Sequence, residues 1–188
     1  FPLSVKYFQN LLKRAERAGD DLMAFAARSE LATIQLWTGT PLEGRPLIRQ
    51  VLDDYDPAKH GILTSVAGQD YAVLAAALAA KAENFLGYFD SSRRMAERGI
   101  AIAREVKHPF SVGMALCLAS SVAIERGETA MTFAFARECI DICDEHGFPY
   151  YGDWARATQG LAAAFEGRAE AGVIEIEHAI DAMESFGS

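Results

Sequence analysis

Polar and apolar positions along this chain do not alternate with the period of two that a half-buried strand requires. The most apolar stretch, Tyr71-Ala-Val-Leu-Ala-Ala-Ala77, is rich in alanine and poor in β-branched residues, which predicts a buried helix. No Asn-Gly or Asp-Gly pair separates alternating apolar segments, so hairpin signals are missing as well. Alanine occurs 33 times and only 6 prolines interrupt the chain. Alanine has the best intrinsic helix propensity and lets helix backbones approach closely. The pattern predicts an all-α fold.

The punctuation between apolar stretches repeats. Gly87, Gly127 and Gly167 follow one another at intervals of 40, and Gly39 precedes Gly87 by 48. A second set keeps the same register: Pro109 and Pro149 are 40 apart, as are Gly147 and Gly187, and Lys107 shares a column with Gly19 and Gly147. The first set ends a helix, where a left-handed residue costs glycine nothing. The proline set opens a helix, where the missing N–H does no harm. Each period is therefore a helix pair. The reading gives nine helices: a lone one at 3–18, then pairs at 21–38 and 41–56, 69–86 and 89–106, 109–126 and 129–146, 149–166 and 169–186. The extra eight residues of the 48-residue step fall in 57–68, where glycine, proline and β-branched residues predict a long loop.

Packing columns agree with this register. Ala32, Ala80, Ser120 and Gly160 share one column near the end of the first helix of each pair. Gly44, Ser92, Thr132 and Gly172 share one in the second helix, and Val51, Gly99, Cys139 and Ala179 form a third. The first two columns hold only small residues, as expected where two helix backbones cross. A helix pair cannot bury its own apolar face, so such units stack.

Small residue, glycine turn and small residue at this spacing resemble the tetratricopeptide repeat, with a period of 40 instead of 34 and a degraded Trp-Leu-Gly-Tyr signature. Tyr55-Asp-Pro-Ala-Lys-His60, Gly68-Gln-Asp70, Leu86-Gly-Tyr88, His108-Pro-Phe-Ser111 and Glu145-His-Gly-Phe-Pro149 follow in that order. The series is similar to the helical-repeat region of multidomain bacterial regulators, the predicted ATPases and adenylate or guanylate cyclases. The resemblance spans nearly all 188 residues. It implies a right-handed α-solenoid in one repeat domain over 1–188, a regulatory tail without the cyclase or ATPase domains. None of these motifs is catalytic in that family.

Charge narrows the partners. Acidic residues number 26 against 18 basic ones, for a net charge of −8 and a pI near 5.0. A duplex nucleic-acid binder needs a basic stripe to neutralise phosphates, and an anionic membrane surface calls for the same. Both are disfavoured here. Hydrophobic residues make up 51% of the chain, enough for a core. No apolar run reaches the roughly 18–20 residues of a spanning helix. Phe1-Pro-Leu lacks the basic start and apolar block of a signal peptide, and without an initiator Met it suggests an excised piece. Cys117, Cys139 and Cys143 are too few for a disulfide framework and point to a reducing compartment, the cytoplasm.

Chemistry is sparse in the sequence. No Gly-x-x-x-x-Gly-Lys-Ser/Thr phosphate loop and no Gly-x-Ser-x-Gly nucleophile elbow occurs. Two Glu-x-x-His pairs, Glu105/His108 and Glu175/His178, have the spacing of di-iron bundles, but the register separates them. Cys139, Cys143 and His146 lie at i, i+4 and i+7, the stripe of a zinc site, yet both cysteines occupy core columns where cysteine acts as a small hydrophobe. The expectation is no metal, no cofactor and no catalysis. Loop residues Asp56, Lys59, His60, Gln69 and Asp70 either bind something or pack over a joint between pairs.

The tetratricopeptide register places a concave face on the first helices. It would present Ser29, Thr33, Lys81, Asn84, Met114, Cys117, Ser121, Trp154 and Leu161. This mixed, weakly charged surface suits an amphipathic helix or an extended peptide, or else packs against the rest of the parent protein. Phe148-Pro-Tyr-Tyr-Gly-Asp-Trp154 adds aromatic residues that either anchor a partner or fill a seam. The leading function is a non-catalytic protein-interaction module of a bacterial signalling protein. The alternative is a small-molecule effector domain for an attached enzyme. Self-association through the ends is also expected, from Leu3, Val5, Phe8, Leu11 and Leu12 at one end and Ala179, Ile180, Met183 and Phe186 at the other.

Overall fold

A computed structural model describes residues 2–185. Among them lie eleven helices and no strand: α1 (Pro2–Ala18), α2 (Asp21–Trp37), α3 (Pro41–Asp54), α4 (Pro57–His60), α5 (Ile62–Ala67), α6 (Tyr71–Phe85), α7 (Phe89–Val106), α8 (Pro109–Glu125), α9 (Thr129–His146), α10 (Pro149–Phe165) and α11 (Ala169–Ser185). Within the described residues, the bounds of the nine long helices fall within two residues of the expected ones. Gly187 and Phe186 lie outside the described residues. No single helix among the described residues is long and apolar enough to cross a membrane.

Most joints between the long helices follow one design. Gly39, Gly87, Gly127 and Gly167 adopt φ of 81°, 81°, 74° and 86°, the left-handed conformation that ends a helix without strain in glycine. At Gly127 its N–H donates to Ile124 O at 2.9 Å, and the next N–H, of Glu128, donates to Ala123 O at 3.0 Å. This pair of hydrogen bonds is the Schellman closure, and it recurs at Gly39, Gly87 and Gly167. In the other column Gly19 and Gly147 are left-handed too, and so is Lys107, the one non-glycine with positive φ among the described residues, at 55°. One residue follows each of these, and the next helix begins, with proline first at α3, α8 and α10.

The expected loop at 57–68 is instead two short helices, α4 and α5. Asp56 caps α4 by accepting from the Ala58 N–H at 2.9 Å, Pro57 supplies a first residue needing no partner, and Gly68 closes α5 at φ 72°. The segment is then fastened inward. The His60 ring stacks on Phe25 at 3.9 Å, and its Nδ1 accepts from the Asp56 N–H at 2.9 Å. Buried Asp70 caps α6 through the N–H groups of Ala72 and Val73 and also accepts from the Tyr55 and Thr64 hydroxyls. Of the polar residues in 55–70, Asp56, His60 and Asp70 thus hold the joint.

The sequence reading treats 1–188 as one domain. The chain divides into two compact units, one ending at Ile102 and the other starting at Ala103. In the first, α1 packs on α2, α2 on α3, and α6 on both α2 and α3. Phe25, Leu36, Ile48, Val51, Val73 and Leu78 are buried there, each contributing about 1.5–3 kcal/mol. In the second, α8 packs on α9 and α10, α9 on α10, and α10 on α11. Consecutive helices touch at the small-residue columns. The Ser92 hydroxyl donates to Ala80 O at 2.8 Å. A Cβ on Gly44 would stand 3.2 Å from Ala32 O, and one on Gly160 would stand 2.6 Å from Gly172 O. Helices α6 and α8 are almost entirely buried, α6 with the polar Lys81, Glu83 and Asn84 among its buried residues.

At the outer helices, Leu3 and Tyr7 are exposed, while Val5, Phe8, Leu11 and Leu12 are half-buried. Ala179 is buried, Met183 half-buried and Ile180 exposed.

Candidate functional site

The residues expected on a concave face do not share one environment. Ser29, Lys81, Asn84, Met114, Cys117 and Ser121 are buried. Thr33 and Trp154 are half-buried, and Leu161 is exposed at 38%. The cause lies in α6 and α8: both are packed on almost every side, so they leave few positions for solvent and even the polar Lys81 and Asn84 are buried. Ser29 turns its hydroxyl back to Phe25 O at 2.9 Å, and Thr33 does the same to Ser29 O. Lys81 holds its ammonium 5.5 Å from the Phe85 ring centre.

The metal-spaced residues have local partners. Cys139 Sγ lies 3.8 Å from Cys143 Sγ and 3.2 Å from Gly113 O. Hydrogen bonding with Cys117 and burial push the Cys139 thiol pKa up, and the bond to Cys139 with burial does the same at Cys143. Both shifts favour the neutral thiol over the thiolate that binds metals. The His146 ring stacks on Phe148 instead. His108 Nδ1 sits 3.0 Å from the Ser111 hydroxyl. Among the described residues no group of three His, Cys, Asp or Glu is placed to hold a metal ion.

The aromatic segment after α9 builds a surface within the second unit. Gly147, left-handed at φ 72°, turns the chain, the Phe148 N–H donates to Cys143 O at 2.9 Å, and Pro149 opens α10. This fixes the direction in which the next turn projects its rings. Phe110, from the first turn of α8, meets Phe148 edge to face at 5.2 Å and Tyr151 at 5.3 Å. Tyr150 then touches Tyr151 at 5.2 Å and Trp154 at 6.0 Å, both near-perpendicular. Such edge contacts are worth about 0.5–1.5 kcal/mol each, so the rings are held in place before any partner arrives. Burial pushes the Tyr151 phenol pKa up, keeping it a neutral hydrogen-bonding group. Arg156 ties the turn together, reaching Asp144 of α9 at 2.6 Å and Asp153 at 3.0 Å.

The rings border an open hollow of about 450 Å³, with Phe110, Phe148, Pro149, Tyr150 and Tyr151 as its apolar walls. That size accommodates a bulky apolar side chain or a short peptide turn. Tyr150 is 45% exposed and stands at its edge. Sequence reasoning singled out 148–154 and Trp154 but missed Phe110. The signal was present: Phe110 lies 40 residues before Tyr150, each directly after a helix-opening proline. Comparison of the chain with protein-family models, with curated proteins and with solved structures gives no match.

Proposed function

We infer that this chain is a non-catalytic recognition module that binds an apolar segment of another protein at the aromatic surface of Phe110, Phe148, Tyr150, Tyr151 and Trp154. The observation that carries the reading is the exposed edge of a ring cluster already locked by its own contacts. Rigid aromatics lose little conformational freedom on binding, which is why they anchor interfaces. An extended or helical segment with proline, leucine or aromatic side chains supplies the complementary surface. The wider setting we propose is a right-handed, tetratricopeptide-like stack of about 40-residue helix pairs. It would be the regulatory tail of a bacterial signalling protein that carries a cyclase or ATPase domain. The turn chemistry at Gly39, Gly87, Gly127 and Gly167 supports that kinship.

Trp154 reports on the site directly. Trp37→Phe leaves it the sole tryptophan of the two in the chain. Peptides rich in proline, leucine and aromatic residues are titrated against its fluorescence. The reading expects a saturable change with at least one peptide class, weakened about tenfold or more by Tyr150→Ala at unchanged helicity. No response from any class, or equal binding by Tyr150→Ala, would contradict it. Nucleotide hydrolysis by the purified chain, abolished by a point substitution within it, would contradict the non-catalytic part.

A further inference from the structure

The first unit carries a cleft of different chemistry. On α3, Arg45, Ile48, Arg49 and Leu52 fall at i, i+3, i+4 and i+7, a single stripe. On α7, Met95 and Arg98 extend from one turn, and between them α6 contributes Ala79, Ala82 and Glu83. The three helices enclose a cavity of about 200 Å³. Ile48 and Leu52 are buried in its floor and Met95 is half-buried beside it. Its rim is polar and largely prearranged. Arg45 makes a two-pronged pair with Glu83, at 2.6 and 3.1 Å, and lies 5.1 Å from the Tyr88 ring centre. Arg98 donates to Leu52 O at 3.2 Å. Arg49, by contrast, makes no hydrogen bond or ion pair among the described residues, and Asp53 is exposed one turn further on.

We propose that this cleft binds a small organic monoanion, a carboxylate on a ring-sized apolar body, with Arg49 as the carboxylate's partner. Three features select that class. A cavity of roughly 150 Å³ holds a benzene-sized body, so this one takes a ring and little more. Ile48, Leu52, Ala79, Ala82 and Met95 give part of its wall methyl and methylene groups, which reward apolar contact. Three guanidinium groups face two carboxylates, leaving one positive charge in a chain whose net charge is −8. A dianion such as phosphate meets Asp53 and Glu83 as repulsion, whereas a single carboxylate matches the surplus. The planar fork of arginine suits carboxylate geometry. This site is separate from the aromatic surface and stands or falls independently of it.

Benzoate is the probe, benzyl alcohol its neutral counterpart and inorganic phosphate the competing anion. The methyl group of Met95, one of five methionines, reports by NMR on the intact chain and is assigned through Met95→Leu. Benzoate is expected to shift it saturably and benzyl alcohol to leave it unmoved. Arg49→Gln should weaken benzoate about two- to fivefold, the loss of one exposed ion pair. Asp53→Asn should tighten it, an outcome that damaged folding does not produce. A shift that never saturates, an equal response to benzyl alcohol, or unchanged affinity in Arg49→Gln overturns the assignment. Phosphate binding more tightly than benzoate overturns its monoanion character.

Discussion

His60 shows how one polar side chain settles a joint. Its ring lies flat on Phe25 and its Nδ1 accepts from the Asp56 backbone, so the imidazole is neutral with its proton on Nε2. Burial lowers its pKa below the ordinary 6.5, against the opposing pull of Asp56. The unfolded chain therefore takes up a proton first as pH falls. The stability that neutral His60 contributes is intact above 6.5 and is lost between 6.5 and the lower folded value. Urea midpoints are expected to hold from about pH 8 to 7 and to decline toward about 5.5, still above the ordinary carboxylate range. His60→Phe should flatten that decline; an equal slope in the variant would show that other groups cause it. Lys107 makes the opposite case. It occupies a left-handed position, φ 55°, that Gly19 and Gly147 fill elsewhere. That conformation costs a non-glycine residue about 1 kcal/mol. Lys107→Gly should raise stability by about 0.5–1 kcal/mol, read from the urea midpoint, and a loss of stability would refute the strain.

At the scale of elements, the crossings decide the packing, and they are not chemically equal. Between α10 and α11 the Gly160 and Gly172 backbones meet so closely that a methyl group on either strikes the other's carbonyl. Neither helix can yield without moving its whole face. Gly160→Ala and Gly172→Ala are each expected to cost about 3 kcal/mol in urea unfolding, the upper range for overpacking, and a cost below about 1 kcal/mol would mean the helices separate freely. Between α6 and α7 the same columns hold Ala80 and Ser92, joined by a hydrogen bond, and there Ser92→Ala should cost only about 1 kcal/mol. These columns and the turn glycines were legible in the sequence because they depend on residues near in the chain. Segment 57–68 was not. Glycine and β-branched residues there do suggest a loop, but α4 is fastened by His60 stacking on Phe25, 35 residues earlier, which no local pattern reveals, and α5 by the Thr64 hydroxyl donating to buried Asp70.

For the whole molecule, the fold class could be read from alanine content, proline scarcity and punctuation. The site could be read only in part. The residues expected in a groove were chosen by register, yet register says nothing about how deeply a helix is buried, and Lys81, Asn84 and Ser121 lie inside. The aromatic segment was visible because its rings are consecutive in sequence. The arginine cleft was not, since Arg45, Glu83 and Arg98 come together only when α3, α6 and α7 pack. The central claim is that partners are recognised at the aromatic surface. Hydrogen exchange, measured with and without the peptide that changes Trp154 fluorescence, tests it most directly. Slowed exchange over 148–158 and in the first turn of α8, with α6 unchanged, is the result predicted here. Unchanged exchange over 148–158, with any slowing confined to other helices, would contradict it.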